Sequence, residues 1–556
     1  MKGAIRIQTS SGTKILMRPF LTLHSPAQTR AFYEAGLWTP DTFYGLLDRH
    51  AAERPVSSAL RDGHERLTWQ EVRKKVDALA ADLHDQGLVA GDRVSLWLSN
   101  RIDAVIMFLA CARQGIACNP PLHRTHTCAD IVGLLNRLNA SAFLTEPGWG
   151  ADRKACDFEA MLKDVPTLKK LYELEALPDP GRRPEGPPHD DPDAVVYLAF
   201  TSGTTGAPKC VMHSANTLLS NARDMVATWD RGPATRILSL SPLSHHIAWV
   251  GVAQWLLCGG EFITDDPPDG TSRLNWIIET GATYVMGVPT HAMDLLAEQR
   301  AQGARRLGQV ETFYMAGAPI PPSVAEAFVE QGIKPQNVYG MTENSSHQFT
   351  DPQDDIATIT ETCGRGGPAY EVGIFDSENP DIQLGPGEIG QIGGRGACLM
   401  LGYFANQEAT ESSFNRTGWF LSGDLGLLDE AGNLKVSGRL KDLIIRGGHN
   451  IHPTAIEARA LRHKDIEKAA AFPVADERLG EKVCLAITGD VGAAPLLEHL
   501  AQEGLSVYDM PEYYLNLDSF PLTASGKILK RELVEMVKRG ELQPEPVRFK
   551  PKGETA

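Results

Sequence analysis

Segments with the pattern of β-strands and of α-helices alternate along the first 340 residues. A helix is predicted after Thr68, because Thr68 and Glu71 form a capping-box pattern, apolar residues recur at helical spacing and Gly87 follows as a stop. The strand-like run DRVSLWLS comes next, followed by an apolar helix and the strand-like run SAFLTE. The same order recurs between residues 281 and 340. This alternation predicts an α/β fold with parallel strands.

The pattern changes twice in the C-terminal third of the chain. Between about residues 370 and 436, short strand-like runs are separated by glycine turns, which predicts a β-rich subdomain. After the run SGRLKDLIIRGGHNIHP, small α/β units return. We therefore predict a large N-terminal domain over residues 1–440 and a small α+β domain over residues 441–556, a division that the chain length allows.

The composition excludes several classes of protein. Hydrophobic residues make up 42% of the chain and charged residues 22%, as in ordinary globular enzymes. The net charge of -16 argues against a broad surface for nucleic acid. No segment has the roughly 18 uninterrupted apolar residues of a membrane helix, and the N-terminus lacks the apolar core of a secretory signal. We expect a cytoplasmic protein without membrane insertion.

The nine cysteines are scattered along the chain and include no C-x-x-C pair. An odd, scattered set is typical of reduced thiols in the cytosol. We therefore expect neither a disulfide framework nor a zinc cluster.

The stretch TSGTTGAPK, residues 201–209, follows the apolar run AVVYLAF. Such a loop offers backbone N–H groups, hydroxyls and the Lys209 ammonium to a phosphate. The loop of P-loop NTPases is excluded, because Ala207 and Pro208 separate Gly206 from Lys209 and the following CVMH is strand-like, with a helix expected only from Ser214. Taken alone, the stretch also fits a solvated hairpin without a ligand.

The longer stretch YLAFTSGTTGAPKCVMHS resembles the phosphate-loop signature of the superfamily of acyl-CoA synthetases, peptide-synthetase adenylation domains and luciferases. These proteins use ATP to convert a carboxylate into an acyl-adenylate. Further motifs resembling those of the family follow in the family's order: VYGMTE, GWFLSGDLG, SGRLKD and PLTASGKILKREL. The resemblance implies a large adenylate-forming domain and a small mobile C-terminal domain.

The resemblance also implies roles in nucleotide binding. Tyr339 would stack on the adenine, Thr342 would donate to the α-phosphate, and Glu343 would ligate Mg²⁺, which prefers carboxylate oxygens. Asp424 and Arg439 would hold the ribose hydroxyls, which a carboxylate can do by accepting from both. The residues predicted to bind the nucleotide are Thr201, Ser202, Gly203, Thr204, Thr205, Gly206, Gly317, Ala318, Pro319, Tyr339, Gly340, Thr342, Asp424 and Arg439.

A lysine near the C-terminus, Lys527, matches the family's catalytic lysine, whose ammonium would bridge the incoming carboxylate and the α-phosphate. Lys441 lies at the family's hinge, about which the small domain would rotate to present the loop RGGHN to coenzyme A. Gly448 would matter there because a narrow tunnel tolerates no Cβ. The residues predicted to be catalytic are Lys527, Glu343, Thr342 and Lys209, and those predicted to bind coenzyme A are Arg446, Gly447, Gly448 and His449.

Two further stretches resemble the family's acyl pocket, SPLSHHIAWVG and YMAGAPIPP. No carboxylate occurs between Ser241 and Cys258, which disfavours an amino-acid substrate because nothing would pair with its ammonium. Small apolar residues favour a neutral aliphatic or alicyclic acyl group. The residues predicted to bind the acyl group are His246, Ala248, Val288, Ala316, Gly317 and Met341.

Together these motifs predict an acid–CoA ligase that uses ATP, Mg²⁺ and coenzyme A, with a small carboxylic acid as substrate. Cyclohexanecarboxylate is the first candidate, and a benzoate-type or medium-chain fatty acid is the alternative. A carrier-protein-loading adenylation module and a non-enzymatic nucleotide-binding scaffold are alternatives of other classes. A homodimer and a lysine acetyltransferase acting on Lys527, whose charge acetylation would remove, are further hypotheses.

Overall fold

The strand that leads into residues 201–209 belongs to a seven-stranded sheet. The computed structural model describes residues 24–201, 208–522 and 528–549, together with the backbone of a hairpin formed by Ile5–Thr9 and Gly12–Leu16. In spatial order, the strands of the sheet are Gly402–Tyr403, Lys209–Ser214, Val195–Thr201, Ala117–Pro121, Arg93–Trp97, Ala142–Thr145 and Lys170–Glu173. The two pairs among the first three strands are antiparallel, and the other four pairs are parallel.

An eight-stranded sheet carries the segments predicted to bind adenine and the acyl group. Its strands, in spatial order, are Ser345–Phe349, Lys334–Met341, Thr312–Ala316, Tyr284–Gly287, Arg236–Ser239, Glu261–Thr264, Ser58–Arg61 and Arg66–Thr68. The five pairs from Lys334–Met341 to Glu261–Thr264 and on to Ser58–Arg61 are parallel. Residues that follow neighbouring parallel strands are thereby brought to one edge of the sheet, where α/β proteins place ligands.

Two further sheets follow. The first is antiparallel and contains Tyr370–Phe375, Gly390–Gly396, Phe420–Leu428 and Leu434–Arg439, as the β-rich pattern predicts. The second contains His449–Ile451, Ile444–Arg446, Ile466–Asp476, Gly480–Gly489, Tyr513–Asn516 and Glu545–Pro546. In sequence, one of these sheets precedes and the other follows residue 441, near which a domain boundary is expected. That boundary stays a prediction.

Helices pack against the sheets. The α-helices are Pro26–Glu34, Phe43–Glu53, Trp69–Asp85, Asp103–Arg113, Cys128–Leu138, Phe158–Leu162, Ala215–Thr228, His246–Cys258, Arg273–Thr280, Pro289–Gln302, Pro322–Glu330, Ile356–Glu361, Gln407–Glu411, Pro453–Ala460, Ala493–Gln502 and Lys530–Lys538. Short 3₁₀ turns occur at Leu174–Ala176, Leu440–Asp442 and Val507–Asp509. Among the described helices, none combines the length and apolar character needed to cross a bilayer.

The predicted helix boundaries are confirmed where side-chain caps mark them. Thr68 and Glu71 form a reciprocal capping box at the start of Trp69–Asp85. Ser214 caps the helix Ala215–Thr228, which begins where the sequence places it.

The apolar helix His246–Cys258 is buried in the protein core. Nearly all of its side chains are buried, as expected for a helix that is apolar on every side. Trp255 stacks on Trp69 with ring centroids 4.8 Å apart and an angle of 8° between the rings. This packing fixes the position of His246 at the start of the helix.

The expectation of reduced cysteines is wrong for one pair. Cys128 and Cys156 form a disulfide across a sequence separation of 28, while the other seven cysteines are free. The absence of a C-x-x-C pair does not exclude this bond, because the fold brings the start of the helix Cys128–Leu138 close to residue 156.

Alkylation tests this disulfide directly. Protein denatured without reductant should take up seven iodoacetamide groups, and reduced protein nine, as measured by intact mass. Reduction should also lower the free energy of unfolding by about 3–4 kcal/mol, because a loop of this length is then freed in the unfolded chain. Nine groups without reductant would show that the pair is reduced.

Candidate active site

The hairpin at residues 201–209 is closed by direct pairing of its two ends. Thr201 lies opposite Lys209 in the antiparallel register, and its hydroxyl is 3.4 Å from the Lys209 carbonyl oxygen. The chain between them therefore leaves and re-enters the sheet at one point. The predicted phosphate contacts Ser202, Gly203, Thr204, Thr205 and Gly206 lie outside the described residues.

The returning strand Lys209–Ser214 aligns three side chains on one face. Successive side chains of a strand alternate between faces, so Lys209, Val211 and His213 point the same way. Tyr403 lies opposite Val211 in the neighbouring strand and shares that face. The residues on this face contact the segment around Glu343, as described below.

Lys209 and Glu343 meet at the aromatic ring of Tyr403. The Lys209 ammonium lies 4.5 Å from the ring centroid, within the range of a cation–π contact. The Tyr403 hydroxyl donates to Glu343 Oε1 at 2.9 Å. The predicted phosphate-binding cation and the predicted metal ligand therefore lie side by side.

The surroundings of Glu343 fit the binding of Mg²⁺. Burial raises the pKa of this carboxyl group, while the Tyr403 hydrogen bond and the nearby Lys209 charge oppose that rise. Within the described residues, Tyr403 is the only side chain hydrogen-bonded to the carboxylate. A half-buried carboxylate with few partners is a suitable ligand for a hard cation that keeps most of its shell of water and phosphate.

A hydrogen bond and an ion pair join Tyr339 and Arg439 to Asp424. The Tyr339 hydroxyl donates to Asp424 Oδ2 at 2.8 Å, and Arg439 Nε lies 3.2 Å from Asp424 Oδ1. Asp424 and Arg439 are opposite each other in adjacent strands. The motifs assign Tyr339 to the adenine and Asp424 to the ribose, and the direct bond between them cannot be read from the sequence.

A tight turn holds the segment that contains Thr342 and Glu343. A Cβ on Gly340 would lie 1.7 Å from the Ser345 carbonyl oxygen, so only glycine fits there. Ser345 itself has a positive φ of 55°. The turn therefore requires glycine at position 340, and the role in nucleotide binding stays a prediction.

Two buried histidines support this turn, and the motifs identify only one of them. His213 Nε2 donates to the Thr342 carbonyl oxygen at 2.6 Å, and its Nδ1 accepts from the Thr217 hydroxyl at 3.0 Å. His246 lies against it, with ring centroids 5.7 Å apart and an angle of 20° between the rings. His213 lies two residues after Val211 in an apolar strand and therefore on the same face. A polar residue at such a position is the signal that could have identified it.

Both histidines are neutral at physiological pH. Burial lowers the pKa of His213 to about 4. Burial and the two neighbouring histidines lower the pKa of His246 well below its usual value. His246 Nδ1 lies 3.0 Å from the Tyr197 hydroxyl and its Nε2 lies 3.2 Å from the Ser345 hydroxyl.

The other predicted acyl-pocket residues differ in exposure. Ala248, Val288 and Ala316 are buried, Met341 is half-buried and Gly317 is exposed with a φ of 86°. Val288 and Gly317 directly follow neighbouring parallel strands, Tyr284–Gly287 and Thr312–Ala316. The predicted nucleotide contacts Ala318 and Pro319 are exposed at the same edge.

The residues predicted to bind coenzyme A form a separate hairpin. Gly447 and Gly448 have φ values of 59° and 88° and join the strands Ile444–Arg446 and His449–Ile451. Arg446 pairs with Glu512, and His449 Nε2 lies 2.8 Å from Asp509 Oδ1. No described side-chain contact joins this hairpin to Glu343. Lys441 is exposed in the turn Leu440–Asp442, and Lys527 lies outside the described residues.

Comparison with known proteins identifies the family. The sequence profile described as "AMP-binding enzyme" matches residues 47–404, which is more than half of the chain. The chain belongs to the family of AMP-binding enzymes. It is an acyl-CoA ligase of the adenylate-forming superfamily, and such ligases use ATP, Mg²⁺ and coenzyme A.

Individual AMP-binding enzymes match along most of their length. The medium-chain fatty-acid–CoA ligase of Escherichia coli is 28% identical over 532 residues, which cover 92% of this chain and 93% of that protein. A salicylyl-CoA synthase / salicylate adenylyltransferase of Streptomyces sp is 31% identical and covers 91% and 96%, respectively. The crystal structure of ATP-bound MatB from Rhodopseudomonas palustris has a TM-score of 0.79 at 25% identity, covering 90% and 99%.

The group around Asp424 leads to a test with modified nucleotides. If Asp424 binds the ribose, Asp424→Ala should raise the KM for ATP about tenfold or more, because hydrogen bonds to a charged group are lost. The variant should also lose most of the preference for ATP over 2′,3′-dideoxy-ATP, measured as the ratio of kcat/KM values.

Asp429 provides a matched control, because its carboxylate accepts from backbone N–H groups in the turn after the same strand. Asp429→Ala should leave the nucleotide preference unchanged. Loss of activity with both nucleotides by one common factor in Asp424→Ala would refute ribose binding.

Proposed function

We propose that this acyl-CoA ligase activates a neutral medium-chain or alicyclic carboxylic acid, with cyclohexanecarboxylate as the first candidate. The convergence of Lys209 and Glu343 on Tyr403 is the observation that best supports the proposed active site. It brings a phosphate-binding cation and a carboxylate for Mg²⁺ to the exit of the 201–209 hairpin.

The environment of His246 supports a neutral acyl group. Its ring is uncharged, and both of its nitrogens have partners in Tyr197 and Ser345. The other buried residues proposed for the pocket, Ala248, Val288 and Ala316, have only apolar side chains. A charged substituent on the acid would therefore lose its hydration without gaining a counter-ion.

The relatives favour the same class of acid. One is a medium-chain fatty-acid–CoA ligase, which supports an aliphatic substrate. The other is named for salicylate, so an aromatic acid remains the alternative.

In the first half-reaction, a carboxylate oxygen of the acid attacks the α-phosphorus of ATP, and pyrophosphate leaves. Lys209 offsets charge on the β- and γ-phosphates, Thr342 donates to the α-phosphate, and Lys527 bridges the two reacting groups. Glu343 would hold Mg²⁺, which supplies charge neutralisation at the phosphates when it is bound. His213 fixes Thr342 for this task by binding its carbonyl oxygen.

In the second half-reaction, the thiolate of coenzyme A attacks the acyl carbonyl and AMP leaves. The small domain would rotate about Lys441, withdraw Lys527 and bring the hairpin Arg446–His449 to the acyl-adenylate. A homodimer and acetylation of Lys527 by an acetyltransferase stay proposals about partners and regulation.

Exchange of labelled pyrophosphate into ATP tests the choice of acid. Cyclohexanecarboxylate and medium-chain fatty acids should support exchange, whereas amino acids and dicarboxylates should not, because the pocket lacks a counter-ion for them. Coenzyme A should be consumed with the same acids. Exchange without consumption of coenzyme A would favour a carrier-loading module, and no exchange with any acid would favour a scaffold.

The two half-reactions should separate in Lys527→Ala. This variant should lose acyl-adenylate formation, because the bridging charge is gone, yet still convert supplied acyl-adenylate into thioester. Rapid-quench assays of each half-reaction measure this difference. Lys530→Ala is a suitable control, since Lys530 is paired with Glu457 at 2.6 Å and should not affect adenylation. Equal loss of both half-reactions in Lys527→Ala would contradict the assignment.

A further inference from the structure

Tyr403 contacts both charged residues of the proposed phosphate and metal site through different atoms. Its hydroxyl donates to Glu343 Oε1 at 2.9 Å, while the face of its ring lies 4.5 Å from the Lys209 ammonium. None of the motifs includes Tyr403, which lies 60 residues after Glu343. The side chain is only 5% exposed, so its ring has little freedom to turn away.

The backbone around Tyr403 is fixed to both motifs. The pair Gly402–Tyr403 is hydrogen-bonded to Val211–Met212 in the strand that starts at Lys209. The Met400 N–H donates to the Glu343 carbonyl oxygen at 2.7 Å. The Tyr403 N–H donates to the Thr410 hydroxyl at 2.9 Å. Tyr403 is therefore held relative to the strand and to the turn that it connects.

We propose that Tyr403 is a positioning residue that orients the Glu343 carboxylate for Mg²⁺ with its hydroxyl and the Lys209 ammonium for the phosphates with its ring. This inference rests on the proposed function, in which Glu343 is the metal ligand. Because the tyrosine hydroxyl binds Glu343 Oε1, the lone pairs that remain on the carboxylate are the ones available to the ion. The ring face favours the ammonium without neutralising it, because a cation–π contact supplies no counter-charge.

Because the hydroxyl and the ring of Tyr403 have separate tasks, two substitutions of this residue should have different effects on binding. Tyr403→Phe removes the hydrogen bond to Glu343 and keeps the ring, so it should weaken metal binding alone. Tyr403→Leu removes both contacts and should weaken binding of metal and of metal-free nucleotide.

Equilibrium binding without an acid substrate tests this without turnover. Mn²⁺ titrated in the presence of ATP and followed by electron paramagnetic resonance should bind Tyr403→Phe about tenfold more weakly than wild type, the effect of losing a hydrogen bond to a charged group. The Kd of ATP in EDTA, measured by calorimetry, should stay within about twofold in Tyr403→Phe and rise several-fold in Tyr403→Leu.

Tyr44→Phe is the matched control. Its hydroxyl donates to the buried Asp77 at 2.7 Å, the same type of bond between helices that carry none of the proposed site residues. This control should bind Mn²⁺ and ATP as wild type does. Similar thermal unfolding of Tyr403→Phe and Tyr44→Phe would show that both remain folded.

Glu343→Gln separates failure of this inference from failure of the proposed site. If Glu343→Gln binds Mn²⁺ as wild type does, Glu343 is not the metal ligand and the proposed site is wrong. If Glu343→Gln weakens Mn²⁺ binding but Tyr403→Phe does not, the positioning role of Tyr403 is overturned. The double variant Glu343→Gln/Tyr403→Phe should bind Mn²⁺ no more weakly than Glu343→Gln alone. If the double variant lost as much additional affinity for Mn²⁺ as Tyr403→Phe loses by itself, Tyr403 would act independently of Glu343.

Discussion

The antiparallel pairing of Val195–Thr201 with Lys209–Ser214 is the constraint on which the proposed site depends. It fixes both ends of the loop and determines which side chains of the returning strand share a face. Because strand residues alternate, Lys209 and His213 necessarily point the same way. Lys209 reaches the segment 342–343 through Tyr403, which contacts both Lys209 and Glu343. His213 reaches the same segment through the Thr342 carbonyl oxygen. A shift of one residue in this register would turn both side chains to the opposite face.

The polar groups of the site are fixed because they are buried. A buried donor or acceptor without a partner is costly, so each group settles where a partner is available. The Tyr339 hydroxyl donates to the buried Asp424, and His246 lies between Tyr197 and Ser345. We expect groups held in this way to rearrange little when a nucleotide binds, which would lower the cost of binding and of reaching the transition state. A protein with a net charge of -16 can still bind a triphosphate, because the groups that donate to the phosphates are local to the site.

The sequence predicts the parts of this structure that depend on short segments. The α/β alternation, the capping box of Thr68 and the returning strand before Ser214 all depend on neighbouring residues. Contacts between distant segments follow from the packing of the sheets and have no local signature. Tyr403 and Glu343 are 60 residues apart, and Tyr339 and Asp424 are 85 apart. The disulfide between Cys128 and Cys156 escaped prediction for the same reason, because spacing motifs detect only cysteines that are close in sequence.

The hairpin Arg446–His449 shows how a single chain could serve two reactions. Among the described residues, its partners Glu512, Asp509 and Leu479 all lie in the predicted small domain. A hairpin held in this way keeps its shape wherever the small domain sits. The two predicted domains touch at the Ser437 carbonyl oxygen, to which the Thr454 hydroxyl donates, a few residues from Lys441. Rotation about Lys441 would break this hydrogen bond, while the hairpin would move together with its partners. Such preorganisation favours a hinge over local refolding as the route between the two half-reactions.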